Sequence, residues 1–102
     1  MSETMNPAER EEYYEFFLKK WGADSQKKMA VEEMSELTKE ICKSWREDLG
    51  DNTREIREEI ADTLNMVEQL RYLYGFDEVE KIRDEKLKKC MDKATKNNGS
   101  AK

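Results

Sequence analysis

Ala30, Met34, Leu37, Ile41 and Trp45 recur in steps of four, three, four and four. That spacing holds them on one stripe of a 3.6-residue helix and excludes a strand, whose faces alternate at every second residue. Ile56, Ile60, Leu64, Val67 and then Leu70 or Tyr74 repeat the pattern. Tyr13, Phe17 and Trp21 precede them at steps of four, and Val79, Ile82, Leu87, Cys90 and Met91 follow as a weaker apolar side. The one proline stands at position 7, so no helix interior is broken. The pattern predicts an all-α chain of four helices.

The breaks between stripes carry helix signals. Asn6-Pro7-Ala8-Glu9 supplies a cap, a first-turn proline and a capping-box glutamate. A first helix to about Lys20 should stop at Gly22. A second, capped by Asp24 or Ser25, should reach roughly Arg46, and a turn over residues 48–52 should follow. Asn52 or Thr53 should cap a third helix ending near Tyr74 and Gly75, and Asp77-Glu78-Val79-Glu80 opens a fourth. Short connections make neighbouring helices antiparallel. Residues 1–95 read as one domain and residues 96–102 as a disordered tail.

Charged residues make up 42% of the chain and apolar ones 36%, which is too little apolar material for a thick core in a 102-residue monomer. Such a chain either has a thin core or borrows apolar surface from another copy of itself, and the second is the expectation. A net charge of −5 with no basic block argues against nucleic acid as a partner. No apolar run has membrane length, no signal segment stands out, and two distant cysteines without a CxxC fit a reducing compartment. A cytoplasmic protein with no membrane partner is expected. The chain has no histidine, which removes the common zinc sites and every Ser/His or Cys/His mechanism. It also removes the Glu-x-x-His ligands of a di-iron bundle.

Two short phrases repeat: Glu32-Glu33-Met34-Ser35-Glu36 and Glu58-Glu59-Ile60-Ala61-Asp62. With each apolar stripe set at zero, Glu33 and Glu36 fall at about −100° to −160° on the second helix, and Glu59 and Asp62 fall in the same sector of the third. Antiparallel packing along the stripes would bring these shoulders to one side, where like charges at about 4 Å repel by several kcal/mol. A hard dication, Mg²⁺ above all, offsets that without histidine. The other reading is a solvated acidic surface balanced by lysines one turn away, as Glu36, Lys39, Glu40 and Lys43 suggest. The geometry of the stripes leaves both open.

The ordered pair Glu33-x-x-Glu36 and Glu59-x-x-Asp62 resembles the metal motif of the MazG-like nucleotide pyrophosphohydrolases, within the all-α NTP pyrophosphatase superfamily. The resemblance extends over about residues 13–91. It takes in Lys20-Trp21-Gly22, the stretch from Met29 to Leu37, the stretch from Glu58 to Leu64, and Glu85-Lys86-Leu87. It implies a four-helix MazG-like bundle, completed by oligomerisation as a homodimer or homotetramer, that hydrolyses a nucleoside triphosphate to the monophosphate and pyrophosphate with Mg²⁺ or Mn²⁺. It would make Glu33, Glu36, Glu59 and Asp62 the metal ligands, with Glu33 or Glu36 also orienting the attacking water. Trp21 would stack on the base or else serve as a core or interface aromatic, Asn65 would contact substrate, support a ligand or simply lie exposed, and Lys86 would meet phosphate or stand as a solvated helix lysine. A phosphoribosyl-ATP pyrophosphohydrolase, a dUTPase-like enzyme and a non-catalytic helical dimerisation module are the alternatives.

Overall fold

The computed structural model describes residues 4–96, and most of the expected tail lies outside them. Four helices run in order: α1 (Pro7–Trp21), α2 (Ala23–Lys43), α3 (Thr53–Tyr74) and α4 (Phe76–Lys96). A single 3₁₀ turn, Glu47–Leu49, interrupts the α2–α3 connection. Among the described residues there is no strand.

The start of α1 follows its sequence signal. Asn6 Oδ1 accepts from the Glu9 amide at 2.9 Å, and the Glu9 carboxylate accepts in return from the Asn6 amide at 3.1 Å. The α1–α2 junction is tighter than expected. Gly22 alone closes α1 and opens α2, at φ +88°, where a side chain would be strained. Neither Asp24 nor Ser25 is the cap, because α2 has already begun at Ala23. At its other end α2 stops at Lys43, three residues short of expectation. Ser44 turns its hydroxyl back onto the Ile41 carbonyl, and Trp45 falls outside the helix, 76% exposed.

The α2–α3 pair is the most closely packed in the chain, with α1 against both and α4 against α3. Two hydrogen bonds fix the antiparallel register of that pair. Thr63 Oγ1 donates to the Glu33 carbonyl at 3.2 Å, and Asn52 Nδ2 donates to the Glu40 carbonyl at 2.8 Å. On that register Glu33 comes level with Asp62, and Glu36 with Glu59. The Tyr14 hydroxyl ties α1 to α3, 2.7 Å from Glu68 Oε1 and 3.1 Å from Asn65 Oδ1. Arg71 ties the start of α4 to α3 through an ion pair with Glu80 and by stacking over the Phe76 ring at 4.4 Å.

The core is thin. Among the described residues the buried apolar ones are Tyr14, Ala30 and Met66, joined by the polar Gln26 and Gln69. Met34, Ile41, Ile60, Leu64 and Val67, all stripe residues, remain substantially exposed. Their stripes face a neighbour on one side only, so a single copy covers part of each. The radius of gyration is 17.3 Å, against roughly 13 Å for a compact chain of this length.

Candidate metal centre and adjoining cleft

The α2–α3 register brings Glu33, Glu59 and Asp62 together. Each offers a carboxylate oxygen, and the three oxygens lie within 4.8 Å of one another. Glu59 and Asp62 are three apart on α3 and share its face, while Glu33 reaches them from α2. Glu36 is not in this close group, but its charge is near enough to raise the pKa of both Glu33 and Glu59.

The electrostatics record the crowding. Burial pushes the Glu33 carboxyl up, the charges of Asp62, Glu32 and Glu36 push it further, and a hydrogen bond from Glu59 offsets part of the rise. Glu59 is also raised, first by burial and then by the charges of Asp62, Glu33, Glu36 and Glu40. Glu59 Oε1 is shut off from solvent without a hydrogen-bond donor. An acceptor left in that state costs about 1–3 kcal/mol, and more if charged. No lysine or arginine is among the causes of either shift.

This donor set fits a hard dication. Three carboxylates and no nitrogen or sulfur suit Mg²⁺ or Mn²⁺, and a cation would satisfy the orphaned Glu59 oxygen. The three oxygens would draw closer together around a shared ion, a movement within the reach of glutamate rotamers.

Glu33 and Asp62 also stand on the wall of a cleft of about 450 Å³ between α1, α2 and α3. Its other walls include Phe17, Trp21, Met29, Asn65 and Met66. Trp21 is 52% exposed and stacks on Phe17 at 5.2 Å, so one indole face is taken and the other is free. Asn65 is held by the Tyr14 hydroxyl, whose own pKa is pushed up to about 12 by burial and by Glu68. Two of the sequence-expected substrate residues, Trp21 and Asn65, thus adjoin the acids. The third, Lys86, lies on α4 in a separate apolar groove with Val79, Leu87 and Cys90.

Gln26 and Gln69 line the same cleft and were not singled out from sequence. A signal existed for Gln69. Asp62, Asn65, Met66 and Gln69 follow one another at helical spacing on one face of α3, so the acid marks the residues above it.

The raised carboxyls give a pH prediction. Each binds its proton more tightly in the folded chain than in the unfolded one, where the ordinary value is 4.5. Their contribution to stability is greatest below that value and falls as pH rises through it toward the raised ones. Glu40, Asp51 and Glu80 are shifted the opposite way by their hydrogen-bond and charge partners, so the total pH profile is mixed. A Mg²⁺-induced rise in melting temperature would isolate the cluster. It should be clear at about pH 7.5 and shrink strongly at about pH 4.5, where protons compete with the ion. Equal shifts at both, read by circular dichroism, would contradict this account. In comparisons with known proteins, no family model, no curated protein and no solved structure matches the chain.

Proposed function

We propose that the chain is a Mg²⁺-dependent nucleoside triphosphate pyrophosphohydrolase, cleaving NTP or dNTP to the monophosphate and pyrophosphate. The observation that carries this reading is the placement of the acid cluster. Three converging carboxylates sit beside a cleft with a free aromatic face and no basic residue among its lining. A polyphosphate entering there would meet Glu33 and Asp62 with no protein cation to neutralise it. A cleft of this sign accepts such a ligand only with a dication between the two.

On this reading Glu33, Glu59 and Asp62 hold the ion, with Glu36 completing the set from one turn along α2. The bound Mg²⁺ would supply phosphate charge neutralisation and activation of water. The protein's own residues do the rest. Trp21 offers its open face to the base, a contact that accepts any base. Met29 and Met66 keep that end of the cleft apolar. Asn65, fixed by Tyr14, presents an amide beside the acids, and Glu33 or Glu36 orients the water that attacks in line. The protein would work as a homodimer or homotetramer, which accounts for the uncovered stripes.

The test is direct. The protein is incubated with Mg²⁺ and a panel of canonical and modified NTPs and dNTPs, including dUTP, with phosphoribosyl-ATP in a separate assay. Pyrophosphate release is measured. Turnover of at least one nucleotide, abolished by EDTA and restored by Mg²⁺ or Mn²⁺, is the expected result. No pyrophosphate from any substrate, together with no Mg²⁺ effect on melting, leaves a helical dimerisation module as the better reading.

A further inference from the structure

The groove that holds Lys86 belongs to an unfinished helix. No residue of α4 is buried, and Ile82, Leu87 and Met91 are each more than half exposed. The contacts tying α4 to α3 come from its first turns, through Phe76 and Glu80. Beyond them the apolar side of α4 is largely uncovered among the described residues. Val79, Leu87 and Cys90 centre that side, and a groove of about 390 Å³ beside it is walled by Leu64, Val67 and Tyr74 of α3.

The charges at its edges say what covers it. At about 100° per residue, one edge carries Glu78 and Glu85, then Lys86, Lys89, Lys93 and Lys96. The other carries the acids Asp77, Glu80 and Asp84, all in the first half, while Lys81, Lys88 and Asp92 point away from the apolar side. Taken whole, residues 77–86 carry five acids against Lys81, Arg83 and Lys86, and residues 87–96 carry four lysines against Asp92. Such a helix repels a parallel copy of itself and attracts an antiparallel one.

We propose that α4 pairs antiparallel with α4 of a second copy, about a twofold axis passing between Lys86 and Leu87. Glu85 then meets Lys89 of the second copy and Glu78 meets its Lys96, each contact occurring twice by symmetry. At the centre Arg83 stands level with Cys90 of the second copy, and Leu87 packs across the axis. This assembly does not depend on the chemistry at the acid cluster.

Cross-linking tests the register. In a Cys42→Ser background, Arg83→Cys is combined with the native Cys90. Within one helix these positions are about 10 Å apart along the axis, beyond disulfide reach, so a bond between them must join two chains. Mild oxidation should give a covalent dimer, and Cys42→Ser alone should give little, because two Cys90 residues are separated by a similar distance. Light scattering on the wild-type protein should give twice the chain mass or a multiple of it. Reversing Lys89 and Lys96 to glutamate should weaken association about tenfold or more, and adding Glu78→Lys and Glu85→Lys should restore it. The proposal is overturned by a monomer at about 100 µM, by efficient cross-linking through Cys90 alone, or by a dimer in which Arg83→Cys fails to cross-link and charge reversal has no effect. Pyrophosphate release is read separately, so either result leaves the hydrolase question independent.

Discussion

Asp62→Asn is expected to lower pyrophosphate release by on the order of a hundredfold or more, while the metal-free protein becomes more stable at neutral pH. The two effects have one cause. Asp62 is among the largest sources of the upward shifts of Glu33 and Glu59, so neutralising it relieves repulsion inside a cluster with no internal cation. The same change would remove one of the proposed hard oxygen ligands. Mutating a residue that merely supports a metal ligand costs about 10–100-fold, so losing the ligand itself should cost at least as much. Glu59→Gln should behave alike, and its amide can donate where Glu59 Oε1 now has no donor. Melting curves with and without Mg²⁺ and initial rates on the best substrate decide it. An acid that only solvated the helix would leave activity intact and give no stability gain. A variant with full activity would remove Asp62 from the site.

The parts legible in the sequence were those set by local periodicity. The stripes on α2 and α3 gave helix number and an antiparallel pair, and the common offset of the acids from both stripes brought Glu33 to Glu59 and Asp62. Glu36 was equivalent to Glu33 on that argument. The register distinguishes them: the bond from Thr63 to the Glu33 carbonyl places Glu33 beside Asp62, and no single-helix pattern encodes that step. The depth of burial was also illegible. Periodicity identifies an apolar side but not whether a partner covers it, so Met34, Ile41 and Leu64 read as core and stand half-exposed. Trp45 satisfied the spacing of α2 yet fell outside it, because Ser44 and the turn after it divert the chain. On α1, Tyr13 shared the stripe of Phe17 and Trp21, while its neighbour Tyr14 took the buried place. The Tyr14 hydroxyl finds Glu68 and Asn65, more than fifty residues away.

Trp21→Ala should raise KM for the preferred nucleotide by roughly 5- to 150-fold with kcat nearly unchanged, the range given by about 1–3 kcal/mol for a base stacked on an aromatic face. The split follows from position. Trp21 lies on the cleft wall with its outer face open, so it would hold the base equally in the bound substrate and in the transition state. The indole also packs on Phe17, and its loss costs some stability, which melting curves measure separately. Trp45→Ala is the matched control. That indole is 76% exposed and absent from the cleft lining, so KM should stay within about twofold. Trp21→Phe should recover most of the affinity, since a phenyl ring keeps a stacking face. A fall in kcat at constant KM, or equal effects at positions 21 and 45, would mean that Trp21 supports the bundle and that the base lies elsewhere.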